Sequence, residues 1–259
     1  MTAVEVHHVV TGPVDAPVVV LHDSLGSSLD MWEPQVVPLA GRQRVVRYDL
    51  RGHGRSPAPI GPYTMADLAE DVTALLDRLG VGRAHHVGLS LGGMIAMQLA
   101  ATVPACVDRL VLCCTSAHLP PARRWHDRAA TVRDDGVRAV ADAVVGRWLT
   151  DGLATADPAL VERLLAMVRG TSDEGYAGCC EAIATMDLRD DLASITTPTL
   201  LIVGDEDPAT PREHAEVIAA GVAGARIVMV GPAAHLANVE QPDAVSGHIL
   251  AHLDSEGQQ

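Results

Sequence analysis

A chain of 259 residues, 48% of them hydrophobic, is long enough to bury one core, or one core carrying an insertion. Its net charge of −14 at pH 7 argues against nucleic acid or an anionic membrane as partner, because both need a basic footprint. All nineteen basic residues are arginine, so no lysine can act as base, Schiff-base former or phosphate clamp.

The opening stretch MTAVEVHHVV has neither a basic leader nor a small-residue cleavage site, and the chain holds no run of 18 apolar residues. A soluble, cytoplasmic protein is expected. Short β-branched runs then alternate with longer segments of helical period, the pattern of an α/β fold with a mostly parallel sheet. In chain order the strand candidates are APVVVLHD, QRVVRYDL, AHHVGLS, VDRLVLCCT, TPTLLIVGDED and ARIVMVG. Between the second and third, Leu68, Val72, Leu75, Leu76 and Leu79 share one helical stripe. The apolar segment GGMIAMQLAATV is a further helix, suited to covering a buried sheet.

From His118 to about Asp190 the rhythm changes to helical patterns without a strand. Trp125, Arg128, Ala129 and Val132 share one face, and Val137, Val140, Val144 and Trp148 share a second. The expected organisation is a core of residues 1–117 and 191–259 with an inserted helical cap, 118–190. The C-terminal DSEGQQ is expected to fray. The five cysteines form neither a disulfide framework nor metal-ligand spacing, so buried free thiols are expected and no metal.

Gly88-Leu89-Ser90-Leu91-Gly92 fits G-x-S-x-G and stands where that motif has a mechanical meaning, after a strand and before a helix. A sharp turn there strains the central residue and exposes Ser90 Oγ at the sheet's carboxyl edge, beside the positive end of the following helix. A serine hydroxyl needs a base, and the base needs an orienting acid. His235 follows the strand RIVMVG, and Asp205, Glu206 and Asp207 follow PTLLIVG. His22 and His53 also follow strands, but they precede Ser90 and lack an acid in the required order. Asp207 is preferred over Asp205, because a loop must leave the strand before its carboxylate can turn toward the histidine. The oxyanion would be held by the Leu91 amide and by one from the loop HDSLGSS, with Ser24 ahead of Leu25.

Together with RYDLRGHGRS, these residues resemble the α/β-hydrolase superfamily over essentially the whole chain. SLGSSLDMWEPQ, RYDLRGHGRSPAPIGPYT, GLSLGG, VRDDGVRAVADAVVGRWLT, EGYAGCCEAI and AAHLANVEQPD resemble the 3-oxoadipate enol-lactonase family more narrowly. The resemblance implies a Ser90–Asp207–His235 mechanism without metal or organic cofactor, acting on a five-membered enol-lactone that bears an acetate arm. The sequence departs from the family at HDSLG, where His22 is retained and Asp23 stands beside the oxyanion loop. A carboxylate facing the pocket there would repel an anionic substrate.

The acetate arm needs a cation, and residues 118–149 hold six arginines against four aspartates. Arg128 is the expected clamp, since guanidinium suits bidentate carboxylate recognition. Leu25, Trp125 and Trp148 are expected to line the pocket. Two other readings stay open: a general carboxylesterase or cofactor-free perhydrolase with the same triad, and a ligand receptor with slow turnover. A small-molecule lactone or ester is the expected partner in the first two.

Overall fold

A computed structural model of the chain describes residues 1–255. Residues 256–259 of the tail expected to fray lie outside the described residues. Among the described residues seven strands form one sheet: β1 (His8–Thr11), β2 (Val18–His22), β3 (Arg44–Tyr48), β4 (Ala84–Leu89), β5 (Val107–Cys113), β6 (Thr199–Gly204) and β7 (Arg226–Val230). Their spatial order is β1-β3-β2-β4-β5-β6-β7. All neighbours pair in parallel except β1, which runs antiparallel to β3. The six strands read from the sequence form the parallel part. β1 is the addition, a four-residue edge strand whose neighbours in sequence alternate too briefly to announce it.

Helices α1 (Glu33–Ala40), α2 (Met65–Leu79) and α3 (Leu91–Thr102) connect the first strands. The α2 stripe packs as its spacing requires, with Leu68, Val72, Leu75 and Leu76 buried and Leu79 partly buried against the core. Thr64 and Asp67 form a reciprocal capping box at its start, and Gly80 ends it in the left-handed conformation. α3 is apolar on nearly every face because the sheet and α2 cover it from both sides.

Residues 118–190 contain α4 (Ala122–Asp135), α5 (Arg138–Val145), α6 (Asp151–Ala156), α7 (Pro158–Arg169) and α8 (Asp173–Thr185), and no paired strand among the described residues. The two ends of this segment meet: His118 and Asp187 form an isolated antiparallel bridge, and the Leu188 amide donates to the Ala117 carbonyl at 2.9 Å. α8 lies directly against the loop after β3. A Cβ on Gly175 would stand 2.3 Å from the Gly52 Cα, so the two backbones touch where only glycine fits. α9 (Arg212–Gly221), α10 (Ala237–Glu240) and α11 (Pro242–Leu253) complete the chain.

The order of the strands decides where a ligand can sit. The chain leaves β2 toward β3 on one side, whereas it leaves the adjacent β4 toward β5 on the other, so the connections from the carboxyl ends of β2 and β4 diverge. A crevice opens at the carboxyl ends of adjacent strands where successive connections diverge in this way. His22 at the end of β2 lies opposite Gly88 near the end of β4, which brings the loops after both strands to that crevice.

Candidate active site

Ser90 sits in the turn between β4 and α3 with φ 55° and ψ −115°, a conformation costing on the order of 1–3 kcal/mol for a residue with a Cβ. The turn is held from three directions. The Ser90 amide donates to the Cys113 carbonyl at 2.9 Å, Thr115 Oγ1 donates to the Ser90 carbonyl at 2.6 Å, and the Met94 amide donates to the same carbonyl at 3.1 Å. Glycine at 92 is required by close approach: a Cβ there would meet the His22 carbonyl oxygen at 2.1 Å. The Leu91 amide is the first of α3 and has no acceptor inside the helix.

Asp207 follows β6, and His235 lies in the loop between β7 and α10. His235 Nδ1 is 2.9 Å from Asp207 Oδ2 and 3.1 Å from Oδ1. A carboxylate only accepts, so Nδ1 carries the proton and Nε2 is free to act as a base. Thr210 Oγ1 donates to Asp207 Oδ2 at 2.7 Å, and the amides of Ala209 and Thr210 donate to Oδ1 at 2.8 and 3.1 Å. Burial pushes the Asp207 pKa up. The His235 charge and the hydrogen bonds from His235 and Thr210 outweigh that, holding it well below the usual carboxylate range.

The competing acid has a different task. Asp205 Oδ1 accepts from the Ala233 amide at 3.0 Å, and the Asp205 amide donates to the Val230 carbonyl, so this residue ties its loop to the one that carries His235. His22 and His53 are fully buried and bonded elsewhere. His53 Nε2 accepts from the Gly26 amide at 2.9 Å, directly after the Ser24-Leu25 pair.

Ser90 and His235 line one narrow pocket of about 70 Å³, together with Ser24, Leu25, Trp125, Arg128 and Trp148. The Ser90 hydroxyl and His235 are not hydrogen-bonded to each other here. Leu91 is wholly buried and reaches the pocket only through its amide. The Ser24 amide donates to Met31 Sδ at 3.2 Å, a weak acceptor. Asp23 does not face the pocket. It is fully buried, neither carboxylate oxygen has a partner among the described residues, and burial, reinforced by Asp49 and opposed by Arg47, raises its pKa well above the ordinary value. The repulsion of an anionic substrate expected from the sequence is therefore absent.

Sequence reasoning missed four residues that the fold brings in: Thr210 beside Asp207, and Arg124, Arg147 and Tyr176 in the pocket wall. For Thr210 the signal was available, since a hydroxyl three residues after an aspartate is a common turn arrangement. For the others it was not, because their placement depends on how α4, α8 and the end of α5 cross.

The α/β-hydrolase-fold family model matches residues 17–242. The chain belongs to that family. A 3-oxoadipate enol-lactonase from Acinetobacter baylyi is 36% identical over 248 residues, covering 96% of this chain and 92% of that protein. The structure of the enol-lactonase from Burkholderia xenovorans superposes with a TM-score of 0.94 at 39% identity, covering 96% of each chain. A hydrolase from Pseudomonas aeruginosa gives the same TM-score at 44% identity, over 96% of this chain and 94% of that one. This member of the α/β-hydrolase family is thus an enzyme, a hydrolase acting on ester bonds. No helix among the described residues is long and apolar enough to cross a membrane.

Proposed function

We propose that this hydrolase opens 3-oxoadipate enol-lactone to 3-oxoadipate through an acyl-enzyme on Ser90. The observation that carries the reading is the His235–Asp207 pair sharing a pocket with a strained serine and with arginines that could hold a substrate carboxylate. The enol-lactonase relatives support the same substrate.

In this reading His235 Nε2 takes the Ser90 proton as Oγ attacks the ring carbonyl, and Asp207 stabilises the imidazolium. The Leu91 amide and the Ser24 amide hold the tetrahedral oxyanion. A full negative charge is a far better acceptor than the Met31 thioether, so the Ser24 amide turns to the oxyanion as it forms. Collapse breaks the ring C–O bond and expels an enolate, which takes a proton and tautomerises to the ketone. It is a better leaving group than an alkoxide, and it needs less acid assistance. Water, deprotonated by His235, then attacks the acyl-enzyme and releases the second carboxylate. Arg128 holds the acetate arm, with Leu25, Trp125 and Trp148 closing around the ring.

Helices α4 to α8 act as a cap over this pocket, and the chemistry calls for no metal or organic cofactor. The five free, buried cysteines fit a reducing compartment such as the cytoplasm. The test is loss of enol-lactone absorbance, with Ser90→Ala alongside and p-nitrophenyl acetate as comparison substrate. Ser90-dependent opening of the lactone well above the simple ester is the expected result. Good ester turnover without lactone opening would leave the carboxylesterase reading in its place.

A further inference from the structure

The pocket wall contains a concentration of positive charge that the rest of the molecule leaves unpaired. Arg124 and Arg128 project from adjacent turns of α4, and Arg147 follows the end of α5. Among the described residues none of the three has a carboxylate within salt-bridge distance, although thirty-three acidic residues outnumber the arginines in this chain. Of the other arginines in residues 118–190, Arg123 pairs with Asp127, Arg133 with Glu174 and Glu181, Arg169 with Asp142 and Arg189 with Asp187. Arg138 and Arg163 have no carboxylate within salt-bridge distance among the described residues, but both lie exposed on the surface and away from the pocket. Like charges brought together without a counter-ion repel one another, and burial sharpens that repulsion. Burial, with the charges of Arg128 and Arg124, pulls the Arg147 pKa below its ordinary value.

A second, independent feature points the same way. The Tyr176 side chain on α8 is fully buried and lines this pocket; its hydroxyl lies beside the Arg128 guanidinium, which can only donate to it, so the hydroxyl proton has no acceptor among the described residues. A buried hydroxyl proton left without an acceptor costs free energy, which an acceptor from a bound molecule would recover. Arg128 is already oriented, its guanidinium carbon lying 4.8 Å from the centre of the Trp125 ring. The unpaired donors thus come from three elements, α4, α8 and the turn after α5, and all face one space.

We infer that Arg124, Arg128, Arg147 and the Tyr176 hydroxyl form one carboxylate subsite, which replaces mutual repulsion by pairing when filled and so draws α4 toward the α5 end of the cap. For the substrate's acetate arm this rests on the lactonase reading; for anion binding it does not. Arg147 is the specificity-determining member. It adjoins Trp148, whose carbonyl accepts from the Leu236 amide at 2.9 Å, next to His235. Filling the subsite therefore acts on the segment that holds the catalytic base's loop.

The experiment uses succinate as a simple carboxylate probe, with sodium chloride at matched ionic strength as control, on the wild type, Arg147→Met and Tyr176→Phe. Thermal midpoints are read with and without succinate. The ratio of kcat/KM for the carboxylate-bearing lactone to that for its methyl ester is read in parallel. Succinate should raise the wild-type midpoint beyond chloride, progressively with concentration. Arg147→Met should have a midpoint at or above the wild type without anion, lose the succinate response, and lower the acid-to-ester ratio roughly 10- to 100-fold. Tyr176→Phe should retain the midpoint and weaken the response. The inference is overturned if chloride matches succinate, if Arg147→Met melts lower without anion, or if both lactones lose equally. A wild type that opens neither lactone but responds to succinate would remove the proposed reaction and leave the subsite standing.

Discussion

Asp207 takes four donors, from His235 Nδ1, Thr210 Oγ1 and the amides of Ala209 and Thr210, and its pKa is depressed as a result. Such a carboxylate stays ionised and fixes one tautomer of His235. Asp207→Asn removes that constraint, because an amide can present a donor to Nδ1 and leave the proton on the wrong nitrogen. The expected loss in kcat is on the order of 10⁴. Asp205→Asn keeps an oxygen for the Ala233 amide, so its kcat should fall less than about tenfold. Steady-state kinetics on both variants with one ester substrate decides the matter, and equal losses would reverse the assignment of the acid. Ser90→Ala should abolish turnover while leaving the thermal midpoint near or above that of the wild type, since it removes no hydrogen bond. Ser90, Asp207 and His235 could be singled out in the sequence because each follows a strand, and a parallel sheet delivers its strand ends to one edge. Arg147 and Tyr176 were not, because Trp148 belongs to the apolar stripe and its neighbour reads as its solvated companion.

Among the elements, the stretch after β3 does more than connect. His53 Nδ1 lies 3.0 Å from the Arg51 carbonyl, which can only accept, so Nδ1 donates and Nε2 must be the acceptor for the Gly26 amide. That bond fixes the loop bearing Ser24. His53→Leu should therefore lower kcat more than KM, by roughly tenfold, as the Ser24 amide drifts from the oxyanion position. An unchanged kcat would show that the loop holds itself. One residue earlier, Gly52 meets Gly175 of α8 backbone to backbone, and the Ser172 amide donates to the Gly52 carbonyl at 3.1 Å. Gly175→Ala inserts a methyl where there is no space and should cost about 1–3 kcal/mol in denaturant unfolding. Of the helices in residues 118–190, α4 and α5 showed in the sequence as stripes, but how the helices cross did not, since a periodic face says what is buried without saying against what. Val137 and Trp148 illustrate this: both are buried as the stripe requires, yet both lie just outside α5.

At the scale of the whole molecule, four fully buried titratable groups set opposing responses to acid. Tyr48, His22 and His86 form a directed chain beneath the sheet's switch point. His86 Nε2 faces the Cys106 carbonyl at 3.3 Å and must donate, so its Nδ1 accepts from His22 Nε2 at 2.9 Å, and His22 Nδ1 accepts from the Tyr48 hydroxyl at 2.8 Å. Both rings must be neutral for this chain to exist. Burial lowers His22 well below its ordinary pKa, and the His86 charge adds to this. Burial brings His86 and His53 to about 4 despite hydrogen bonds that favour their protonation. Between about pH 6.5 and 4 the unfolded chain takes up these protons and the folded one does not. Stability then rises with pH in that window and is lost on acidification, at roughly 1.4 kcal/mol per pH unit for each histidine. Asp23 acts with the opposite sign: raised by burial, it holds a proton in the folded state above pH 4 that the unfolded chain has released, which opposes the histidines. Denaturant unfolding from pH 7 to 4.5 should show stability falling on acidification, with the three histidines outweighing Asp23. The double variant His22→Leu with His86→Leu should flatten that slope, and Asp23→Asn should steepen it. Slopes that move together in the two variants would mean that these groups do not titrate as their burial requires.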